Sequence, residues 1–216
     1  MTFETTAKAF ETGTFPAVDA SDRVDSRSKR AVDLAFTVLA LPLIAALAIA
    51  LVILNPVFNP GPLFFRQDRM GQGGQRFRMW KFRTMVPSKA ERAFDAPLEE
   101  DRIRPLGRIL RRTRLDEIPN FLNVLSGEMS VVGPRPDCWE HAEVYARIVP
   151  HYAGRMRVRP GITGLAQVRG GYADCMSSVK RKARLDAIYI ERMSGKLDRH
   201  IMMCTARVMA FGLGAR

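Results

Sequence analysis

Three cysteines (Cys138, Cys175, Cys204) and three histidines (His141, His151, His200) lie scattered through 216 residues. They make no CxxC pair and no Cys/His cluster, which argues against a disulfide framework or a zinc site. The glycine-rich stretch "MGQGGQ" lacks the Walker pattern and no βαβ context follows it, so it reads as a hairpin turn rather than a phosphate loop. Aromatic residues make up only 8% and do not interleave with the basic runs, as a base-stacking platform would require. Residues 1–25 lack the basic n-region and small-residue cleavage site of a signal peptide, and no internal repeat is visible. Acid is scarce: 22 Asp and Glu oppose 34 Lys and Arg, for a net charge of +12. The first 25 residues are themselves acidic, so the remainder is more basic still. A surplus of that size calls for an anionic partner: nucleic acid, an acidic membrane surface or a phosphorylated substrate.

What is present is enough for one globular domain with small appendages, at 47% apolar and 26% charged residues. Residues 1–25 read as a flexible polar tail. From Leu34 to Leu54 no residue is charged. As a helix that run would extend about 32 Å, enough to cross a bilayer core. Arg27, Lys29 and Arg30 precede it, and Arg66, Arg69, Arg76, Arg78, Lys81 and Arg83 follow, opposed only by Asp68. Both flanks therefore belong on the cytoplasmic side, which one straight span does not satisfy. A re-entrant helix over 26–57 does, and Pro42, lacking an amide hydrogen, is the predicted break. Residues 58–216 would then be the cytoplasmic domain.

Within that domain, 63–69 and 76–84 read as two strands of a short β-hairpin. The stretch 87–101 reads as a polar surface segment, and "PLGRILRR" opens a short basic helix. A helix over 116–126 follows, with Ile118, Phe121, Leu122 and Leu125 at helical spacing until Gly127. "VVGPRP" is a rigid turn and "VRPGITGLAQVRGG" an ordered loop. Residues 178–194 and 197–212 read as two further helices. The last is amphipathic, facing either the core or a membrane surface.

Asp116 and Glu117 stand side by side just after Arg111, Arg112 and Arg114. A helix start and nearby cations both favour the ionised carboxylate, the form that attacks or binds metal. Spacing alone favours an ordinary helix cap. The company of the pair points further. Lys81, Arg83, Arg112, Arg135 and Arg159 lie in separate segments beside rigidifying Gly or Pro, and a pre-set guanidinium suits bidentate phosphate binding. Carboxylates among cations beside an apolar helix suggest phosphoryl chemistry, in which Mg²⁺ takes one or two carboxylates plus substrate phosphates.

Three segments carry a family resemblance: "GPLFFRQDRMGQGGQRFRMWKFRTM" (61–85), "LGRILRRTRLDEIPNFLNVLSGEMSVVGPRP" (106–136) and "RPGITGLAQVRG" (159–170). In order and spacing they resemble the bacterial sugar transferases, monotopic phosphoglycosyl transferases that prime exopolysaccharide and other surface glycans. The resemblance implies a helix-rich α/β domain on the cytoplasmic face of the bacterial inner membrane, anchored by a re-entrant helix. It implies transfer of a sugar 1-phosphate from a UDP-sugar to undecaprenyl phosphate, with release of UMP and a requirement for Mg²⁺. Asp116 would be the nucleophile, forming a phosphosugar ester. Glu117 would assist, both carboxylates serving the metal. Lys81 and Arg83 fall in the family's "KFR" motif, Arg135 in "GPRP", and Arg159 opens the last motif. With Arg112 they would bind substrate. No nucleic-acid partner is expected, and a homo-oligomer is compatible with this reading. Three departures stand out: Leu41-Pro42 replaces the family's Ser-Pro, Arg169 replaces an Asn, and Met193-Ser194 replaces a Trp-Ser pair. They touch anchoring and sugar choice and leave the carboxylate pair intact.

Overall fold

A computed structural model describes residues 26–86, 100–170 and 176–210. The tail at 1–25, most of the surface segment 87–101 and Cys175 lie outside the described residues. The described residues form a helix-rich α/β protein with one long apolar helix and two small sheets.

Helix α1 (Arg27–Phe58) begins at Ser26, whose Oγ accepts from the Lys29 amide at 3.2 Å. It runs through Pro42 without ending, so the expected break is not a break in the helix. Proline there removes one bond, the one Val38 would have accepted. Packing outweighs that loss: Ala40, Leu41, Ile44, Leu47 and Ala48 lie against Leu106, Leu110, Leu115, Ile118, Phe121 and Leu122. Its buried residues, Asp33, Thr37, Ile44, Leu51 and Asn55, form a single stripe at helical spacing. The other faces expose Val38, Leu39, Ile49, Val52, Ile53 and Val57.

Strands β1 (Phe64–Met70) and β2 (Arg76–Phe82) form the predicted hairpin, antiparallel, with Phe64 opposite Phe82 and Asp68 opposite Arg78. Gly73 and Gly74 adopt positive φ in the turn, which a side chain would resist. On β2 the side chains alternate: Phe77 and Met79 are buried, while Arg76 and Arg78 are exposed. Helix α2 (Pro105–Arg112) follows as predicted, with proline in its first turn.

The predicted helix over 116–126 is two elements. A 3-10 turn spans Leu115–Glu117, and α3 spans only Asn120–Ser126. Pro119 explains the split, because it has no N–H to donate four residues back. Glu117 N and Ile118 N instead bond three residues back, to Arg114 O and Leu115 O, at 3.2 and 3.3 Å.

Strand β3 (Ser130–Val132) pairs in parallel with β4 (Gly161–Thr163). "VRPGITGLAQVRGG" is thus a strand and a helix, α5 (Leu165–Gly170), rather than a loop; three residues are too few to show periodicity. Between the strands lie α4 (Trp139–Ile148) and a 3-10 segment (Tyr152–Arg157). Helices α6 (Met176–Glu191) and α7 (Gly195–Ala210) complete the fold. Ile201 of α7 is fully buried with Val124, Met129 and Tyr189, so one face of the amphipathic helix joins the core. Both ends of α1 are tied to the domain. Lys29 Nζ meets Asp198 Oδ2 of α7 at 2.7 Å, and Asn59, just past the helix, donates to the Arg83 carbonyl at 3.0 Å.

Candidate active site

Four residues from three segments converge. Lys81 leaves β2 one position before the buried Phe82. Its ammonium donates to Glu117 Oε1 at 2.9 Å. Arg135 reaches the same carboxylate with both terminal nitrogens, Nη1 to Oε2 at 3.0 Å and Nη2 to Oε1. That fork is the bidentate geometry in which arginine holds a carboxylate best. Burial alone would raise the Glu117 pKa, but Arg135 and Lys81 outweigh it and hold the carboxyl well below its ordinary range.

Asp116, its neighbour, goes the other way. Burial, and then the Glu117 charge, push its pKa up to about 6, against the pull of Lys81, Arg111 and Arg135. The sequence reading has the helix start and the neighbouring arginines favour ionisation of both; Glu117 is held ionised instead by Arg135 and Lys81, remote in sequence, and Asp116 is raised despite Arg111. Burial, invisible in spacing, makes the difference.

Arg135 owes its position to a turn built from carbonyls. Pro134 and Pro136 have no N–H, so this stretch is tied through its acceptors. The carbonyls of 134, 135, 136 and 137 accept in turn from Gly161 N, Arg155 Nη2, Arg69 Nη1 and Met70 N. Gly133 and Gly161 allow the close approach, since a Cβ on Gly161 would fall 2.1 Å from the Gly133 nitrogen.

The remaining sequence candidates do not join the cluster. Arg83 is buried, and its guanidinium donates to Pro62 O, to Asn59 Oδ1 and O, and to Met85 O. It locks the segment leaving α1. Arg112 is exposed, and it is Arg111 whose charge bears on Asp116. Successive helical residues differ by about 100° in direction, so only one of the two faces the site. Arg159 lines a different small pocket, with Lys29, Asp33, Ser130 and Tyr189. Pro42 lies exposed in α1.

Sequence reasoning placed Arg111 beside the pair but gave no site role to Arg69, Asp137, Arg155 or Lys182. The Asp137 carboxylate accepts from Tyr152 Oη at 2.5 Å and is ion-paired with Arg155 and Lys182. Only its place directly after "GPRP" hinted at this; Arg155 looks like any other arginine of "GRMRVRP".

Among the described residues, no group of three or more His, Cys, Asp or Glu forms a metal cage. Mg²⁺ does not need one, because it shares one or two carboxylates with substrate phosphates and water. Asp116 and Glu117, the two carboxylates assigned to the metal from sequence, stand side by side, Glu117 with Lys81 and Arg135 on its oxygens. A buried carboxylate of raised pKa within the field of Lys81, Arg111 and Arg135 is suited to attacking a diphosphate that those cations attract.

Comparison with known proteins gives the family. The chain is 39% identical over 189 residues to the UDP-N-acetylgalactosamine-undecaprenyl-phosphate N-acetylgalactosaminephosphotransferase of Aeromonas hydrophila, covering 87% of this chain and 45% of that protein. It is 38% identical to the UDP-glucose:undecaprenyl-phosphate glucose-1-phosphate transferase of Escherichia coli (strain K12), covering 82% and 39%. The chain thus spans less than half the length of these two relatives. It is also 37% identical to the exopolysaccharide production protein PSS of Rhizobium leguminosarum bv. phaseoli, covering 82% of this chain and 92% of that one. With the bacterial sugar transferase family model matching residues 24–212, the chain belongs to the bacterial sugar transferase family.

Proposed function

We propose that the protein transfers a sugar 1-phosphate from a UDP-sugar to undecaprenyl phosphate, the first step of a surface polysaccharide or glycoconjugate. The observation that carries this reading is Asp116, a buried carboxylate within the field of Lys81, Arg111 and Arg135. Ionised Asp116 attacks the sugar-bearing phosphorus. The bond from that phosphorus to the bridging oxygen breaks, and UMP leaves with the electron pair. An oxygen of the lipid phosphate then attacks the same phosphorus, the Asp116–phosphorus bond breaks, and undecaprenyl-diphosphate-sugar departs. Lys81 and Arg135, poised on Glu117, neutralise charge on the phosphate oxygens during both displacements. Bound through Asp116, Mg²⁺ would add further charge neutralisation there.

The site belongs at the cytoplasmic face of the bacterial inner membrane. Helix α1 is apolar and largely exposed, and the domain grips it at both ends and along one stripe. A helix held that way along its length supports monotopic attachment over a straight crossing, with 26–57 as the membrane segment and 58–216 as the catalytic domain. The experiment is UMP release from purified protein in lipid nanodiscs, given undecaprenyl phosphate and a panel of UDP-sugars. Release with at least one sugar, lost in Asp116→Asn, is expected. No release from any UDP-sugar would overturn the reading.

A further inference from the structure

We propose that Arg155 is a positioning residue for the transfer reaction, gripping the Arg135 main chain from behind the turn so that the Arg135 guanidinium stays aimed into the site. The inference rests on the reaction proposed above. Arg155 is buried at 7% exposure, and its planar fork is divided between two tasks. Nη1 bonds the Asp137 carboxylate and, at 2.9 Å, the Tyr152 hydroxyl. Nη2 donates to the Arg135 carbonyl and lies 3.1 Å from Asp186 Oδ2. Lys182 holds the other oxygen of Asp137. The guanidinium is therefore fixed on one edge by side chains, and the other edge fixes the backbone of the one residue whose side chain forks onto Glu117.

A residue that only filled the interior would not need that second edge. Pro134 and Pro136 remove two N–H donors from the Arg135 segment, and four successive carbonyls, 134 to 137, are held from outside it. Arg69 plays the same part for Pro136, yet it approaches from the hairpin. Arg155 is the tie that belongs to the β3–β4 connection. Lysine in its place keeps the charge and offers one ammonium, which cannot span both tasks.

The test is a double-mutant cycle on UMP release, using this chain in nanodiscs with every UDP-sugar of the panel above, UDP-glucose and UDP-N-acetylgalactosamine included. Arg155→Lys should lower kcat/KM about 30-fold in the wild-type background, the scale expected when a catalytic group is misplaced by an ångström or less. In an Arg135→Lys background the same change should cost less than about twofold, because the group it aims is already altered. An equal loss in both backgrounds would overturn the proposal and leave Arg155 a stabilising residue. Should Arg155→Lys fail to fold, Tyr152→Phe loosens the same fork by one hydrogen bond, and its smaller loss should vanish in the Arg135→Lys background too. Wild-type protein that releases no UMP sinks the reaction itself, whereas active wild type without coupling sinks only the role of Arg155.

Discussion

Asp116 and Glu117 are adjacent in the chain, and the fold pushes their acidities apart: Asp116 rises to about 6 while Glu117 drops below the ordinary carboxylate range. Asp116 is buried and Glu117 largely so, but only Glu117 has Lys81 and Arg135 in contact. Two carboxylates with separated pKa values divide the work of a site, one answering to pH and one fixed as counter-charge.

Asp116 sets the acid limb of activity. Protonation removes the attacking charge, so kcat/KM should fall about tenfold per pH unit below about 6 and level off above it. Saturating Mg²⁺ should shift that limb to lower pH, since a bound cation favours the ionised form. A pH profile that stays flat down to pH of about 4 would show that Asp116 does not titrate in the rate-determining species.

Glu117→Gln leaves Lys81 and Arg135 as buried cations without their counter-charge. Loss of one partner of a buried pair costs about 3 kcal/mol, readable as a lower melting temperature. The Glu117 charge also helps to raise the Asp116 pKa. In this variant the acid limb should therefore move to lower pH, even as turnover drops.

Arg83→Met should destabilise by about 3 kcal/mol, because Pro62 O, Met85 O and the Asn59 acceptors lose their donor. The KM for UDP-sugar measured on the surviving folded fraction should change less than about twofold, in contrast to Arg135→Met. Exposed Arg112→Ala should alter stability by less than about 0.5 kcal/mol.

Lys29→Ala and Asp198→Ala should each lower the melting temperature, by about 3 kcal/mol of stability. Their pair is mostly enclosed, at 16% exposure for each side chain. The double variant should cost clearly less than the sum, as thermal melts in detergent would register. Simple additivity would mean that the pair does not hold α1 to α7.

The hairpin was legible because glycines, alternation and strand length all agree. The carboxylate pair was legible because it is contiguous in sequence. The cations around it were not. "RILRR" does not fix the phase of α2, so Arg111 and Arg112 look alike until the helix is seen packing on α1. Arg83 shares strand parity with Lys81, yet it sits one residue past the end of β2, where the chain turns back toward Asn59. The Asp137–Arg155–Lys182 network stayed hidden for a different reason. Its members are 18 and 45 residues apart, and only the return of β4 beside β3 brings them together.

The clasp between Lys29 and Asp198 also has a consequence for how the protein is made. The two residues are separated by 169 positions. At ordinary translation rates of roughly 5–20 residues per second, Lys29 waits on the order of ten seconds for its partner to be synthesised. Asp33 waits through nearly a hundred residues for Ser130 and Val131. The longest-range contacts thus close last, and the first helix made becomes the final piece secured. Folding of such high contact order is slow. A nascent chain stalled before α7 would carry a finished hairpin and a complete Asp116–Glu117 pair, with α1 tied at its leading end to Ser130 and Val131 but not yet to Asp198.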